Sequence, residues 1–242
     1  MRLVKSTING ILRNAGVKLV NAQWGPRGFA PAFYRIQQLG FSPKQIVDVG
    51  ASNGQWTREC LEIFPNANYL LVDPLEENVA SLKALQAEQK SVQFWHGALG
   101  SMPGWLPMHV HGDQSSFLVS EYASSGHERS VEIRTLDSFL GNELKSPPDL
   151  IKADVQGYEV EVLKGAERCM TAAEVLLLEV SYRMTYKGCP LAHEVISFVG
   201  SRGFRIYDIC TYTQRPRDRE LFQSDMIFVK SGSKVFEFEG YT

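Results

Sequence analysis

Residues 46–54 read "IVDVGASNG". An apolar run carries an acid, Asp48, near its end, and Gly50 and Gly54 follow. A short apolar run bounded by glycine predicts a buried strand that turns into a helix. Such a junction offers backbone N–H groups at the helix start, and glycine permits positive φ and close approach of a ligand. The next apolar run, "NYLLVDP", ends in a second acid, Asp73. An acid roughly 20 residues past a glycine turn of this kind is placed to accept ribose hydroxyls.

The two acids narrow the choice of ligand. A dinucleotide fingerprint needs G-x-G-x-x-G, and Ser52 stands where its second glycine belongs. No G-x-x-x-x-G-K-[ST] occurs, so the turn is no P-loop. Asp48 at the strand's end would repel a pyrophosphate, which also argues against a nicotinamide dehydrogenase. It suits a cofactor bearing a cation, and S-adenosylmethionine has a sulfonium, an ammonium and no phosphate. The plainer alternative makes Asp48 a helix cap and Asp73 a turn former.

Outward from this turn, strands and helices alternate. A helix over about 31–40 precedes "QIVDVG", and "GQWTRECLEIF" is a helix stopped by Pro65. "EENVASLKALQAEQK" reads as a helix and "SVQFWHGAL" as one strand. "DLIKADV" is a strand, "GYEVEVLKGAERCM" a helix, "AEVLLLEVSY" a strand and "LAHEVISFVGSRG" a helix. "FRIYDIC" and "SDMIFVKS" close the chain as an antiparallel pair around the loop "TYTQRPRDRELFQ". This rhythm predicts a parallel sheet with helices on both faces. Residues of about 100–135 break it and read as a loop-and-hairpin insertion; long irregular segments in compact domains are often functional.

The 242 residues, 44% hydrophobic and 21% charged, allow one large domain with a small appendage. The division expected is residues 1–30 as an N-terminal helix and loop, and 31–242 as the α/β domain. A net charge of −2 gives no argument for nucleic acid. The four cysteines lack C-x-x-C spacing, which fits ordinary thiols in a reducing, cytoplasmic setting. Residues 3–20 read as a basic amphipathic helix that packs on the domain or on a second subunit of a homodimer. Peripheral membrane contact through Arg2, Lys5, Arg13 and Lys18 is its alternative, and no run is long enough to span a bilayer.

"KADVQGYEVEVLKGAE", with "DVGASNGQWT" upstream and "TLDSF" between, resembles the FkbM family of S-adenosylmethionine-dependent methyltransferases over about residues 44–181. The resemblance rests on Lys152, Asp154, Gly157, Glu159 and the run Leu163 to Ala166. It implies a class I methyltransferase fold: a seven-stranded, mostly parallel sheet with an antiparallel last strand. It also implies methyl transfer to a hydroxyl of a sugar, glycan or small natural product. By the same resemblance Asp48, Gly50, Ala51, Ser52, Asn53 and Gly54 form the methionine-side loop. Asp73, followed by Pro74, takes the ribose; Ala98 and Leu99 flank adenine; Ser116 touches cofactor or substrate. The family often has asparagine in place of Ser52 and glutamate in place of Asp73, which bears on affinity.

Candidate catalytic groups follow from the strand "DLIKADV". Alternation puts Lys152 and Asp154 on one face, and a buried lysine needs a carboxylate partner: Asp154, Glu159 or Glu179. An ion network that fixes the sheet is the structural alternative for Lys152 and Glu159. Asp154 ends its strand, where ligands bind in open α/β sheets, and can take or orient a hydroxyl proton. Glu179 ends the next strand, and His111 is a further candidate base or substrate contact. No metal site is spelled out. Arg215, Arg217 and Arg219 hint at an anionic acceptor, a solvated charge run being the commoner reading. Two other functions stay open: N-methylation of nucleic acid or protein, against which "DVQG" replaces the usual D/N-P-P-Y/F, and an inactive binding module.

Overall fold

The computed structural model describes residues 28–122 and 127–237. Helix α1 is Phe29–Gln38, β1 Gln45–Val49, α2 Gln55–Ile63, β2 Asn68–Asp73, α3 Glu76–Glu88 and β3 Val92–His96. Strands β4 (Ala98–Leu99), β5 (Gly104–Val110) and β6 (His127–Arg134) come next. Then follow β7 (Leu150–Ala153), α4 (Glu159–Lys164), α5 (Glu167–Ala172), β8 (Val175–Ser181), α6 (Ala192–Gly200), β9 (Phe204–Gln214) and β10 (Leu221–Lys230). The expected N-terminal helix lies outside the described residues.

Seven strands form one sheet in the order β3-β2-β1-β7-β8-β10-β9. Strands β1, β2, β3, β7 and β8 pair in parallel, and β10 is antiparallel to both its neighbours. The fold class read from the sequence is therefore the one observed. Helices cover both faces as the apolar alternation requires. Ile46, Leu71, Leu150 and Ile227 pack with Phe33, Ile36, Cys60, Leu82 and Leu85 on the α1–α3 side. Val47, Leu70, Ile151 and Phe228 pack with Val162, Met170, Val195 and Val199 on the α4–α6 side. All four cysteines are free and buried.

Three local readings change. The run 91–99 is two strands, because the chain leaves β2 at Gly97 and β4 joins a second sheet, β4-β6-β5, with the hairpin β5–β6. The helix expected over 157–170 breaks at Gly165. A Cβ there would sit 2.0 Å from the Gly100 carbonyl oxygen, so the second sheet docks where the helix interrupts. The loop after "FRIYDIC" shrinks, since Thr211 and Thr213 extend β9 in register with β10.

Gly50 is as tightly enclosed as Gly165. Its φ is +74°, and a Cβ would lie 2.0 Å from the Asp154 carbonyl oxygen. The turn after β1 thus touches the turn after β7. Gly50→Ala is expected to lower unfolding free energy by about 3 kcal/mol or more, from left-handed strain plus backbone overlap. Urea denaturation against the native protein measures this.

Candidate functional site

Two neighbouring cavities open at the C-terminal ends of β1, β2, β7 and β8. Gly50, Ser52, Asp113 and Asp154 line both. The first has about 290 Å³ and an apolar wall of Val72, Leu75, Ala98, Leu99, Met108 and Phe117. Its polar groups include Asp73, Asn78, Ser116 and Tyr158. The second has about 360 Å³ and is lined by Phe29, Trp56, Lys152, Glu179 and Asp225 among others.

The glycine turn is satisfied from within. Gly50 and Ala51 N–H both donate to Val72 O, at 2.9 and 3.1 Å. Ser52 N–H, held at φ 48°, donates to Asp73 Oδ2 at 2.8 Å. Gly54 N–H donates to Ala51 O. The expectation of free N–H groups is corrected on this point: a turn that spends these donors on the protein has little left for a phosphate. Asp73 Oδ1 accepts from Leu75 N–H and Asn78 Nδ2. With three bonds made, a carboxylate of about four lone-pair positions keeps one at Oδ2. Burial pushes the Asp73 carboxyl above its usual range, and the three donors work against that.

Asp48 is not where the sequence put it. It is fully buried and lines neither cavity. Residue 48 pairs in register with residue 152, so both side chains stand on the α1–α3 face. There Asp48 Oδ2 accepts from Thr57 Oγ1 at 2.6 Å, and Oδ1 lies 2.9 Å from Lys152 Nζ, a charge contact without hydrogen-bond alignment. Lys152 also donates to Gly50 O at 2.7 Å and Val49 O at 3.4 Å. Burial alone would lower the Lys152 pKa. The charges of Asp48 and Asp154 outweigh it and hold the ammonium above its ordinary range. The lysine's partner is thus the cross-strand Asp48, rather than Asp154, Glu159 or Glu179.

The other expected residues divide. Pro74, Ala98, Leu99 and Ser116 line the first cavity, and Ala51, Asn53, Lys152 and Glu179 the second. Gly54 lines neither; it packs against Leu82 and Leu85. Glu159 and His111 also line neither. Glu159 is buried, with Oε1 accepting from Val155 N–H and Gly157 N–H, so it shapes the turn after β7. Burial drives its pKa up to about 7. Trp56 borders the second cavity and Tyr158 the first, whereas Trp105 points outward and is 67% exposed.

Gln156 is the residue that sequence reading missed. It sits at φ 55°, a left-handed conformation rare for a residue with a Cβ. Its Nε2 donates to Asp154 Oδ1 and to Glu179 Oε2, both at 3.0 Å. Tyr186 OH donates to its Oε1 at 2.9 Å, and Ser116 Oγ to its carbonyl at 2.8 Å. One amide thus fixes two carboxylates on the second cavity's wall. Burial first, then Asp154, pushes Glu179 well above the usual carboxylate range. The insertion contributes Asp113, whose Oδ1 accepts from Ser52 Oγ at 3.0 Å, closing the first cavity from above.

Comparison with known proteins agrees with this geometry. Residues 48–206, more than half of the chain, match the family model described as "Methyltransferase FkbM domain". The chain belongs to the FkbM methyltransferase family. A curated relative, 2-O-methyltransferase NoeI of Sinorhizobium fredii (strain NBRC 101917 / NGR234), is 25% identical over 162 residues. That match takes in 59% of this chain and 65% of the relative, so the chain spans less than two thirds of the relative's length. The solved methyltransferase FkbM from Methylobacillus flagellatus KT shares the fold, with a TM-score of 0.54 and 17% identity. It is matched over 83% of this chain and 48% of its own. In this FkbM chain the matched region runs from the end of β1 through the glycine turn, the insertion, β7 and Gln156.

Two outcomes follow for the buried charges. Lys152→Met strands Asp48 without its counter-charge and is expected to cost about 3–5 kcal/mol in chemical denaturation, with the Asp48→Leu/Lys152→Met pair costing less. Glu159 keeps its proton in the folded chain up to about pH 7, whereas the unfolded carboxyl loses it near 4.5. Its contribution is therefore full below pH 4.5 and is lost as pH rises to about 7. Glu159→Gln, which keeps both backbone acceptances, is expected to flatten that decline and to gain roughly 3 kcal/mol over native at pH 8. Unfolding midpoints across pH measure it.

Proposed function

We propose that the protein transfers a methyl group from S-adenosylmethionine to a hydroxyl of a sugar, glycan or small natural product. The observation that carries this reading is the shared wall of the two cavities, where Asp154 borders both. The name of the 25%-identical relative supports oxygen as the acceptor atom.

The first cavity's residues fit a sulfonium nucleoside. Leu75, Ala98 and Leu99 offer an apolar slot for a base, and Asp73 Oδ2 keeps a lone pair for a ribose hydroxyl. The internally satisfied turn suits a cofactor without phosphate. When bound, the cofactor supplies an electrophilic methyl group. The protein's task is then to align an oxygen with it, and displacement at carbon depends on that line-up more than on strong base. Asp154 is placed to accept the acceptor's hydroxyl hydrogen and so to aim the oxygen. Gln156 holds Asp154 at a fixed angle. Glu179, whose raised pKa favours a retained proton, limits repulsion beside Asp154 and can donate to a second acceptor hydroxyl. Lys152 stays in the frame, since it donates to two carbonyls and its charge is paired with Asp48.

Titration calorimetry with S-adenosylmethionine tests the cofactor, and absence of heat together with an unchanged melting curve counts against the reading. Asp73→Asn is expected to raise the dissociation constant about tenfold or more, the loss of one hydrogen bond to a charged acceptor. At saturating cofactor, Asp154→Asn is expected to lower kcat by about 10²–10⁴-fold, as loss of a general base does. Mass spectrometry of hydroxyl acceptors after incubation with methyl-labelled cofactor reads both.

A further inference from the structure

A third cavity, of about 350 Å³, lies beyond Gln156. It lies between the β9–β10 end of the seven-stranded sheet and the segments that follow β5 and β8. The stretch after β5 is fastened to the segment after β8 by Glu121 N–H to Thr185 O and Lys187 N–H to Val119 O, at 2.9 and 2.8 Å. The β9–β10 hairpin closes the other side with Gln214, Phe222 and Gln223. Its size falls in the ~300–1,000 Å³ range of small-ligand sites.

Its chemistry differs from that of the second cavity. Four glutamines, 114, 156, 214 and 223, line it, together with the rings of Tyr122, Tyr186 and Phe222. Among the described residues no carboxylate lines it. Arg215 is its one cation, and Asp218 and Glu220 pair with that guanidinium. The charge of Arg215 is therefore balanced at the cavity, and Arg217 and Arg219 of the same loop do not line it. Among the described residues the side-chain amides of Gln114 and Gln214 bond to no protein group. An amide presents a donor and an acceptor side by side, which matches neighbouring hydroxyls that each donate and accept. Aromatic faces take the C–H face of a sugar ring. A nucleic-acid strand would need unpaired cations instead.

The geometry points to this cavity as an outer acceptor subsite that binds an uncharged sugar unit next to the one being methylated. The inference rests on the methyl-transfer reading above and adds to it: the acceptor is a neutral oligosaccharide or glycoconjugate of at least two units. Gln156 is the shared wall. The same amide that aims Asp154 and Glu179 faces the outer cavity, so the second unit sets the position of the first.

The test is transfer of labelled methyl from S-adenosylmethionine by the full chain to neutral mono-, di-, tri- and tetrasaccharides, with acidic sugars beside them. Native protein is expected to show kcat/KM about tenfold or more higher on di- and longer neutral acceptors than on monosaccharides. Gln114→Ala/Gln214→Ala, whose amides hold up no part of the fold, is expected to erase that length preference mainly through KM. Equal kcat/KM on mono- and oligosaccharides by native protein, a preference for acidic acceptors, or an unaltered preference in the double variant overturns the subsite while leaving methyl transfer standing. Cofactor binding without labelled carbohydrate of any length overturns the glycan acceptor and the subsite together. Absence of cofactor binding overturns the reading of the first cavity itself.

Discussion

One ammonium group in the middle of the sheet governs how the rest is arranged. Lys152 Nζ is buried between β1 and β7, where an unpaired charge costs several kcal/mol. It is tolerable only with its donors filled, and the three partners are Asp48, the Gly50 carbonyl and the Val49 carbonyl. Those bonds fix where the chain leaves β1. Gly50 then has to turn with positive φ and lie against the Asp154 carbonyl, which leaves no room for a Cβ. The Asp154 side chain consequently reaches the wall between two cavities. Removing the ammonium would thus disturb the site through the backbone, although Lys152 need touch no ligand.

The same charge sets the electrostatics of the second cavity. Asp48, Asp154, Glu179 and Asp225 surround a single lysine. Burial raises the pKa of both Glu179 and Asp225, which shifts each towards its neutral form beside the other carboxylates. Thr211 Oγ1 hydrogen-bonds Asp225, while Gln156 and Gln223 hold Glu179. Carboxylates held by amides and hydroxyls keep their angles without a metal-like centre, and among the described residues no cluster is suited to hold a metal ion.

What the sequence shows and what it hides follow from range. The strands, the helices and the cofactor-side turn depend on periods of two and of about 3.6 residues, which any short window contains. Gly50 could be picked out because a glycine between a strand and a helix is a local signal, although the Asp154 carbonyl that forbids it a Cβ lies far along the chain. Asp48 was misplaced because its direction depends on register with a strand about a hundred residues away, and only that register faces it towards Lys152. Gln156 was passed over for the same cause. Nothing in "DVQG" reveals that its amide meets Glu179 and Tyr186, or that its carbonyl accepts from the serine of the insertion. Gly165 shows the reverse case: a helical pattern continued through it, and a distant carbonyl decided the break.

The parts of the molecule that face an acceptor are those the common fold does not prescribe. Strands β1, β2 and β7 carry the glycine turn, Asp73 and Asp154 at their C-terminal ends, where open α/β sheets bind ligands. The β5–β6 insertion and the β9–β10 hairpin have no such duty, and fold alone does not set substrate. Yet they converge on Gln156: Ser116 from the insertion donates to its carbonyl, and Gln223 from the hairpin shares its carboxylate, Glu179. A side chain in strained backbone, held by the insertion and next to the hairpin, links the shape of both to Asp154 and Glu179. The strain at φ 55° is then the cost of placing an amide, rather than a bare glycine turn, between the first cavity and the third.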